Sequence, residues 1–116
     1  MPARKLALPT IRRVALALPG VEEGTSYGTP AFRLKGKLIA RLHQDGSSIM
    51  FKLGFEAREH LIQADPRTFF ITEHYRNYPS VLVRLDRLNA DDLRGLLARA
   101  IENATVKRPR KVSSRP

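Results

Sequence analysis

The chain has no cysteine and no tryptophan, only 7% aromatic residues, and no apolar run approaching the length of a membrane span. Each absence removes a class of protein. Without thiols there is neither a disulfide framework nor a thiolate metal site. A spanning helix needs about 18 or more consecutive apolar residues, and charges interrupt every stretch here well before that. Residues 1–13 lack the charged, apolar and small-residue order of a secretory signal, so a soluble, cytoplasmic protein is expected. Gly-x-x-x-x-Gly-Lys-Ser/Thr and Gly-x-Gly-x-x-Gly are both missing, and with them the usual nucleotide cradles. None of Ser26, Ser47, Ser48, Ser80, Ser113 and Ser114 stands in a Gly-x-Ser-x-Gly elbow. His43, His60 and His74 are 17 and 14 residues apart, a spacing that puts no two ligands on one face, so no metal is expected. Glu22 and Glu23 are neighbours on a predicted strand and point to opposite faces, so they do not share a proton. No catalytic residue and no cofactor follow from these residues, and the chain reads as a non-enzyme.

What is present fits one domain. The 116 residues are 42% apolar, enough for a single core without staples. Lys and Arg number 21 against 11 Asp and Glu, and the excess sits at the ends. Residues 1–13 hold Arg4, Lys5, Arg12 and Arg13 with no acid, and residues 105–116 hold Lys107, Arg108, Arg110, Lys111 and Arg115 with no acid. The body between them is nearly neutral. Cationic ends of this kind bind phosphates without reading sequence, and they also serve as solubilising tails. Residues 1–104 are expected to form the domain, and 105–116 a basic mobile tail.

Ile11, Val14, Ala15 and Leu18 recur at helical spacing, and Pro19-Gly20 ends that helix. A short strand follows from Val21, and the turn-rich stretch 25–30 joins it to a second strand over 31–35, with Phe32 and Leu34 inward. Lys35-Gly36-Lys37 reverses the chain into a strand over 37–43, with Leu38, Ala40 and Leu42 on one face and Lys37, Arg41 and His43 on the other. Asp45-Gly46 predicts a type I′ hairpin leading to a strand over 47–53 with Ile49, Phe51 and Leu53 inward. Ala57, Leu61 and Ala64 predict a helix over 56–64, stopped by Asp65-Pro66. Strands are expected over 68–74 and 80–86. Asn89 caps a last helix, with Asp91 and Asp92 in its first turn and Leu93, Leu96, Leu97, Ala100, Ile101 and Ala104 as its stripe. Short links between strands imply antiparallel pairing, so the fold class is α+β: a two-layer sandwich of about six antiparallel strands with helices covering one face.

The other face is then expected to be open and cationic, with Arg33, Lys35, Lys37, Arg41, His43, Lys52 and Arg84 upon it. Cations on neighbouring strands form a grid able to follow phosphates, although solvent-facing strand positions also take Lys and Arg for solubility. Aromatic residues do not alternate with these cations, which excludes an RNA-recognition-motif surface. A second candidate is a small polar pocket at the sheet end near Tyr27, His74 and Tyr78.

The run Leu18-Pro19-Gly20-Val21-Glu22-Glu23-Gly24-Thr25-Ser26-Tyr27-Gly28-Thr29-Pro30-Ala31-Phe32, followed by Gly36-Lys37-Leu38, resembles the MmcQ/YjbR family. The likeness continues through Leu61-Ile62-Gln63-Ala64-Asp65-Pro66, Phe69-Phe70 and Thr72-Glu73-His74-Tyr75, and ends in the Leu93–Ala100 helix. The resemblance implies a small bacterial protein with a fold like that of secretion chaperones and bacterial frataxin relatives. It also implies DNA binding, because the family fold is similar to a double-wing DNA-binding domain; that step is an analogy of fold. It brings no catalytic motif. The leading expectation is therefore a DNA-binding protein that contacts the backbone through Arg33, Lys35, Lys37, Arg41, Lys52, Arg84, Lys107, Arg108, Arg110 and Lys111. The alternative is a protein or small-ligand interaction module that uses the pocket of Tyr27, His74 and Tyr78.

Overall fold

The computed structural model describes residues 5–105. Of the expected tail 105–116, Thr105 is the last described residue and belongs to the final helix, and the remainder, with Lys107, Arg108, Arg110 and Lys111, lies outside the described residues. Helix α1 (Leu8–Leu16) is followed by strands β1 (Val21–Ser26), β2 (Thr29–Leu34), β3 (Lys37–Leu42) and β4 (Ser48–Lys52). Helix α2 (Phe55–Ala64), strands β5 (Phe69–Phe70) and β6 (Ser80–Arg84), and helix α3 (Ala90–Thr105) complete the chain. The strands form one antiparallel sheet in the order β1-β2-β3-β4-β6-β5. Helices α1 and α3 pack on each other and on one face of the sheet, while α2 packs beside β5 and β6. The α+β class, the strand number and the pairing are those expected. Among the described residues, no helix is long and apolar enough to cross a membrane.

Local chemistry explains most of the elements. The Asn89 side chain accepts a hydrogen bond from the Asp92 amide at 2.7 Å, capping α3. The α3 stripe then buries Leu93, Leu96, Leu97 and Ala100 against Ile11, Phe32, Ile39, Ile49, Phe51, Val81 and Val83. The two tightest hairpins are made at Tyr27-Gly28 and Lys35-Gly36. Tyr27 and Lys35 have φ of 55° and 52°, and the glycines that follow have 81° each, the pair of left-handed residues a type I′ turn requires. The stretch 25–30 is thus mostly strand, with only two residues of turn.

Asp45-Gly46 is a different turn from the one expected. Only Gly46 has positive φ there, and its amide bonds to the His43 carbonyl at 3.0 Å. The Asp45 carboxylate closes the loop by accepting from the Ser47 and Ser48 amides at 2.8 and 3.1 Å and from the Ser48 hydroxyl. An aspartate that turns its side chain back onto the backbone satisfies the loop without a second left-handed residue.

The main correction concerns β3. Phe32 pairs with Ala40 but Arg33 pairs with Leu38, so Ile39 is the extra residue of a β-bulge. Ile39 and Ala40 are both fully buried in the helix-covered core, and the alternation before them is inverted. Leu38 consequently faces the opposite side, against Met50, Tyr75 and Leu82. Lys37 turns toward the helices, where its ammonium donates to the Ala104 carbonyl at 3.1 Å, a favourable place for a cation at a helix C-terminus. Leu42, Ile49 and Phe51 lie under the helices as expected.

The last two expected strands are shorter. The segment 68–74 contributes only Phe69 and Phe70 before a 3-10 turn, Glu73–Tyr75, and β6 ends at Arg84 in a second such turn, Leu85–Arg87. The turn at Glu73–Tyr75 folds over the face expected to be open. Tyr75 is buried there with Met50 and Leu82, and Leu38, Phe70 and Ile71 pack around them.

Candidate functional site

The open face meets the Tyr27 turn in a cluster of rings around a buried arginine. Arg41 projects from β3 between Ala31 and Met50, its cross-strand neighbours, and is only 5% exposed. Its Nη2 donates to the Tyr75 hydroxyl. Its Nη1 donates to the Thr29 hydroxyl at 3.2 Å and makes a long contact with the Leu42 carbonyl at 3.5 Å. The Thr29 hydroxyl spends its own hydrogen on the Ser26 carbonyl, which leaves a lone pair for Arg41. The Arg41 guanidinium lies 5.3 Å from the centre of the Tyr27 ring, and Tyr27 is 80% exposed.

Tyr75 links this floor to the other rings. His43 is 6.1 Å from it, His74 4.9 Å and Tyr78 6.5 Å, all between ring centres, and His74 also lies 5.9 Å from Tyr78. His43 Nδ1 is buried without a hydrogen-bond partner. All three tyrosines of the protein belong to the cluster. Tyr27, His74 and Tyr78, expected as a pocket with Tyr75 close to His74, are linked through Tyr75 and through Arg41, which is expected in the cation row instead.

The turn that carries Tyr75 is held from α2. Arg58 is buried, and its Nη1 donates to the carbonyls of Tyr75, Arg76 and Tyr78 at 3.1, 3.3 and 2.8 Å. Glu59 pairs with its Nη2 at 3.0 Å, and the guanidinium stacks 4.9 Å from the Phe55 ring centre. Nothing in the α2 sequence marks Arg58 except the weakness of the apolar stripe around it. His43 was legible as a neighbour of Arg41 on the same strand face, and Tyr75 as the residue between His74 and Tyr78.

The cation row does not form a grid. Arg41 is buried and Lys37 is on the helix side. Lys35 sits in a turn, exposed. Arg33 is half-buried and donates to the Thr25 carbonyl at 3.3 Å. Lys52 is half-buried two residues along β4 from Met50. Arg84 is exposed, stacked 4.3 Å from the Phe70 ring centre and bonded to the Arg67 carbonyl.

Two further charged groupings are structural in form. Arg12 grips Glu23 with both Nε and Nη2, at 2.6 and 2.8 Å. That bond holds the Glu23 carboxyl below the usual 4.5. A cleft of about 430 Å³ between α3 and the 65–69 loop is lined by Asp65, Arg87, Asp91 and Arg99 over Phe69 and Leu96. At its rim the Thr68 hydroxyl donates to Asp65 at 2.7 Å, which lowers the Asp65 carboxyl from the usual 3.8. Among the described residues, no three His, Asp or Glu side chains are grouped as a metal ion would need.

The YjbR family model matches residues 16–102. The chain belongs to the YjbR family. Its fold is similar to the crystal structure of a Deinococcus radiodurans protein with a DUF419 domain, with a TM-score of 0.72 and 25% identity over 92% of this chain and 84% of that one. No curated protein matches it.

Proposed function

We propose that this YjbR-family protein is a non-enzymatic, cytoplasmic binding module whose recognition surface is the ring cluster of Tyr27, Arg41, His43, His74, Tyr75 and Tyr78. One observation carries the reading: a buried arginine, Arg41, 5% exposed, whose guanidinium meets the ring of Tyr27, a residue 80% exposed. Folding alone gives no reason to bury that charge or to display that ring. Tyrosine combines a large contact area with few rotatable bonds, a combination enriched at binding surfaces.

A second reading, contact with the DNA backbone, is favoured by a different observation. The cations Lys107, Arg108, Arg110, Lys111 and Arg115 stand in a run without acids, as sequence-independent phosphate binding requires. In our reading this affinity belongs to the terminal segment, and the sheet adds none of it.

Titration of duplex DNA at two salt concentrations separates the two. Changing Lys107, Arg108, Arg110 and Lys111 to Gln should lower the slope of log affinity against log salt by about 3 to 4, at about 0.9 per phosphate contact. Changing Arg33, Lys35 and Arg84 to Gln should leave DNA affinity unchanged. Loss of binding in the second variant, alike on unrelated sequences, would make the sheet a DNA-contacting face and overturn the module reading.

A further inference from the structure

The proposed recognition surface has an unmet electrostatic demand, and the inference drawn from it rests on that reading of the surface. Arg41 is buried, yet no carboxylate among the described residues pairs with it. The ion pairs among the described residues use Arg12, Arg58, Arg76 and Arg94. Residues 1–4 and 106–116 contain no Asp or Glu, so those ends supply no side-chain partner either. Arg41's partners are two hydroxyls and one distant carbonyl, all neutral. Buried charges in folded proteins are paired as a rule, because removing an ion from water is costly. Arg58, equally buried, shows the rule kept: it has Glu59 and three carbonyls.

Beside the unpaired charge of Arg41, one polar atom of the same cluster has no hydrogen-bond partner. His43 lies two residues beyond Arg41 on the chain, and its Nδ1 is buried with no partner. A guanidinium with open N–H groups is a planar fork that fits the oxygens of a carboxylate or phosphate. A protonated or Nδ1–H histidine is a further donor. Tyr27, on a two-residue turn, is the ring stacked on Arg41.

We propose that Arg41 and His43 bind an oxoanion, the phosphate or carboxylate group of a small molecule that enters beside Tyr27. The group supplies the missing negative charge to Arg41 and the missing acceptor to His43 Nδ1. A phosphodiester within a duplex is flanked by sugars on both sides and does not reach a guanidinium this deeply set, so a terminal group is required.

The test uses the full chain and its own tyrosines. The protein has no tryptophan, and Tyr27, Tyr75 and Tyr78 are its only tyrosines, so tyrosine fluorescence and the tyrosine band of the near-ultraviolet circular dichroism, which lies to longer wavelength than the phenylalanine bands, report on this cluster. Inorganic phosphate, adenosine monophosphate and citrate are titrated at constant ionic strength held with chloride. A saturable change is expected, and the arm that saturates at the lowest concentration tells phosphate from carboxylate. Arg41→Met should abolish the change while far-ultraviolet dichroism stays as in wild type. His43→Gln should weaken it about tenfold, the worth of one lost hydrogen bond to a charged group. It carries the test alone if Arg41→Met does not fold. Changing Lys107, Arg108, Arg110 and Lys111 to Gln should leave saturation unchanged. No saturable change in any arm, or equal saturation in wild type and both site variants, overturns the proposal. If that happens while the DNA titrations behave as stated, only the anion is lost and the surface takes an uncharged ligand; if the Arg33/Lys35/Arg84 variant loses DNA binding, the surface itself was wrongly placed.

Discussion

The two faces of the sheet are built on different principles. Under α1 and α3 the contacts are almost entirely hydrocarbon: Ile11, Phe32, Ile39, Phe51, Leu93 and Leu97 are each fully buried. On the opposite face a small apolar group, Met50, Leu82 and Tyr75, is covered by a single 3-10 turn and shares its space with a buried arginine. The middle of each face is shielded from water, but only the first does so with residues that gain free energy simply by leaving it. The first face accounts for folding, whereas the second keeps polar groups where apolar ones would fit. Such exceptions to packing logic are where a binding role is most readily sought.

The comparison is most strongly tested in the helix-covered core. Leu97→Ala, fully buried on α3, should cost about 2–5 kcal/mol in equilibrium denaturation, from lost transfer energy together with the cavity left behind. An unchanged midpoint would mean that this face is not the folding core.

On the other face the largest loss is expected from the brace behind the rings. Arg58→Met removes the donor shared by the Tyr75, Arg76 and Tyr78 carbonyls, and should cost about 1–3 kcal/mol. It should also loosen the ring cluster. The near-ultraviolet tyrosine signal should therefore fall while the far-ultraviolet spectrum is retained; an unaltered tyrosine signal would show that Arg58 does not position Tyr75.

A smaller effect should appear in acid, from one carboxyl on the helix side and one in the loop between β3 and β4. Glu23 on the helix side is held low by its hydrogen bond to Arg12. Burial raises Asp45, but the bonds from Ser47 and Ser48 outweigh it and leave its carboxyl below the usual 3.8. A carboxyl lower in the folded than in the unfolded chain adds stability above its unfolded value, and that stability is lost as pH falls through the folded one. Stability should thus be flat near neutrality from these groups and decline below about pH 4. Glu23→Gln and Asp45→Asn should each make the decline shallower, and an unaltered acid limb in both would remove these carboxyls from the explanation.

The sequence made the folding face legible and the other face only partly so. The α3 stripe, its Asn89 cap and the alternation of Ile49, Phe51 and Leu53 are periodic signals that one core imposes on many residues at once. The bulge at Ile39 is a local insertion with no such signature, because Leu38, Ile39 and Ala40 are all apolar and fit either register. That single residue moved Lys37 to the helices and Leu38 away from them. Arg41 kept its expected face, yet its burial depends on Tyr75, 34 residues further along the chain, and no short-range pattern encodes that contact. Tyr27, His74 and Tyr78 were recognisable as neighbours of turns, where exposed rings are few in a chain with 7% aromatics.

The claim that the ring face is kept for recognition, and not for folding, is tested most directly by denaturing Arg41→Met/Tyr75→Phe beside wild type in phosphate-free chloride buffer. Replacing both partners of a buried polar contact with apolar groups of similar shape is nearly neutral or stabilising when the contact is not needed for the fold. Unfolding free energy equal to or above that of wild type is expected. A loss in the range of Leu97→Ala, about 2–5 kcal/mol, would contradict it and make Arg41 and Tyr75 part of the folding core.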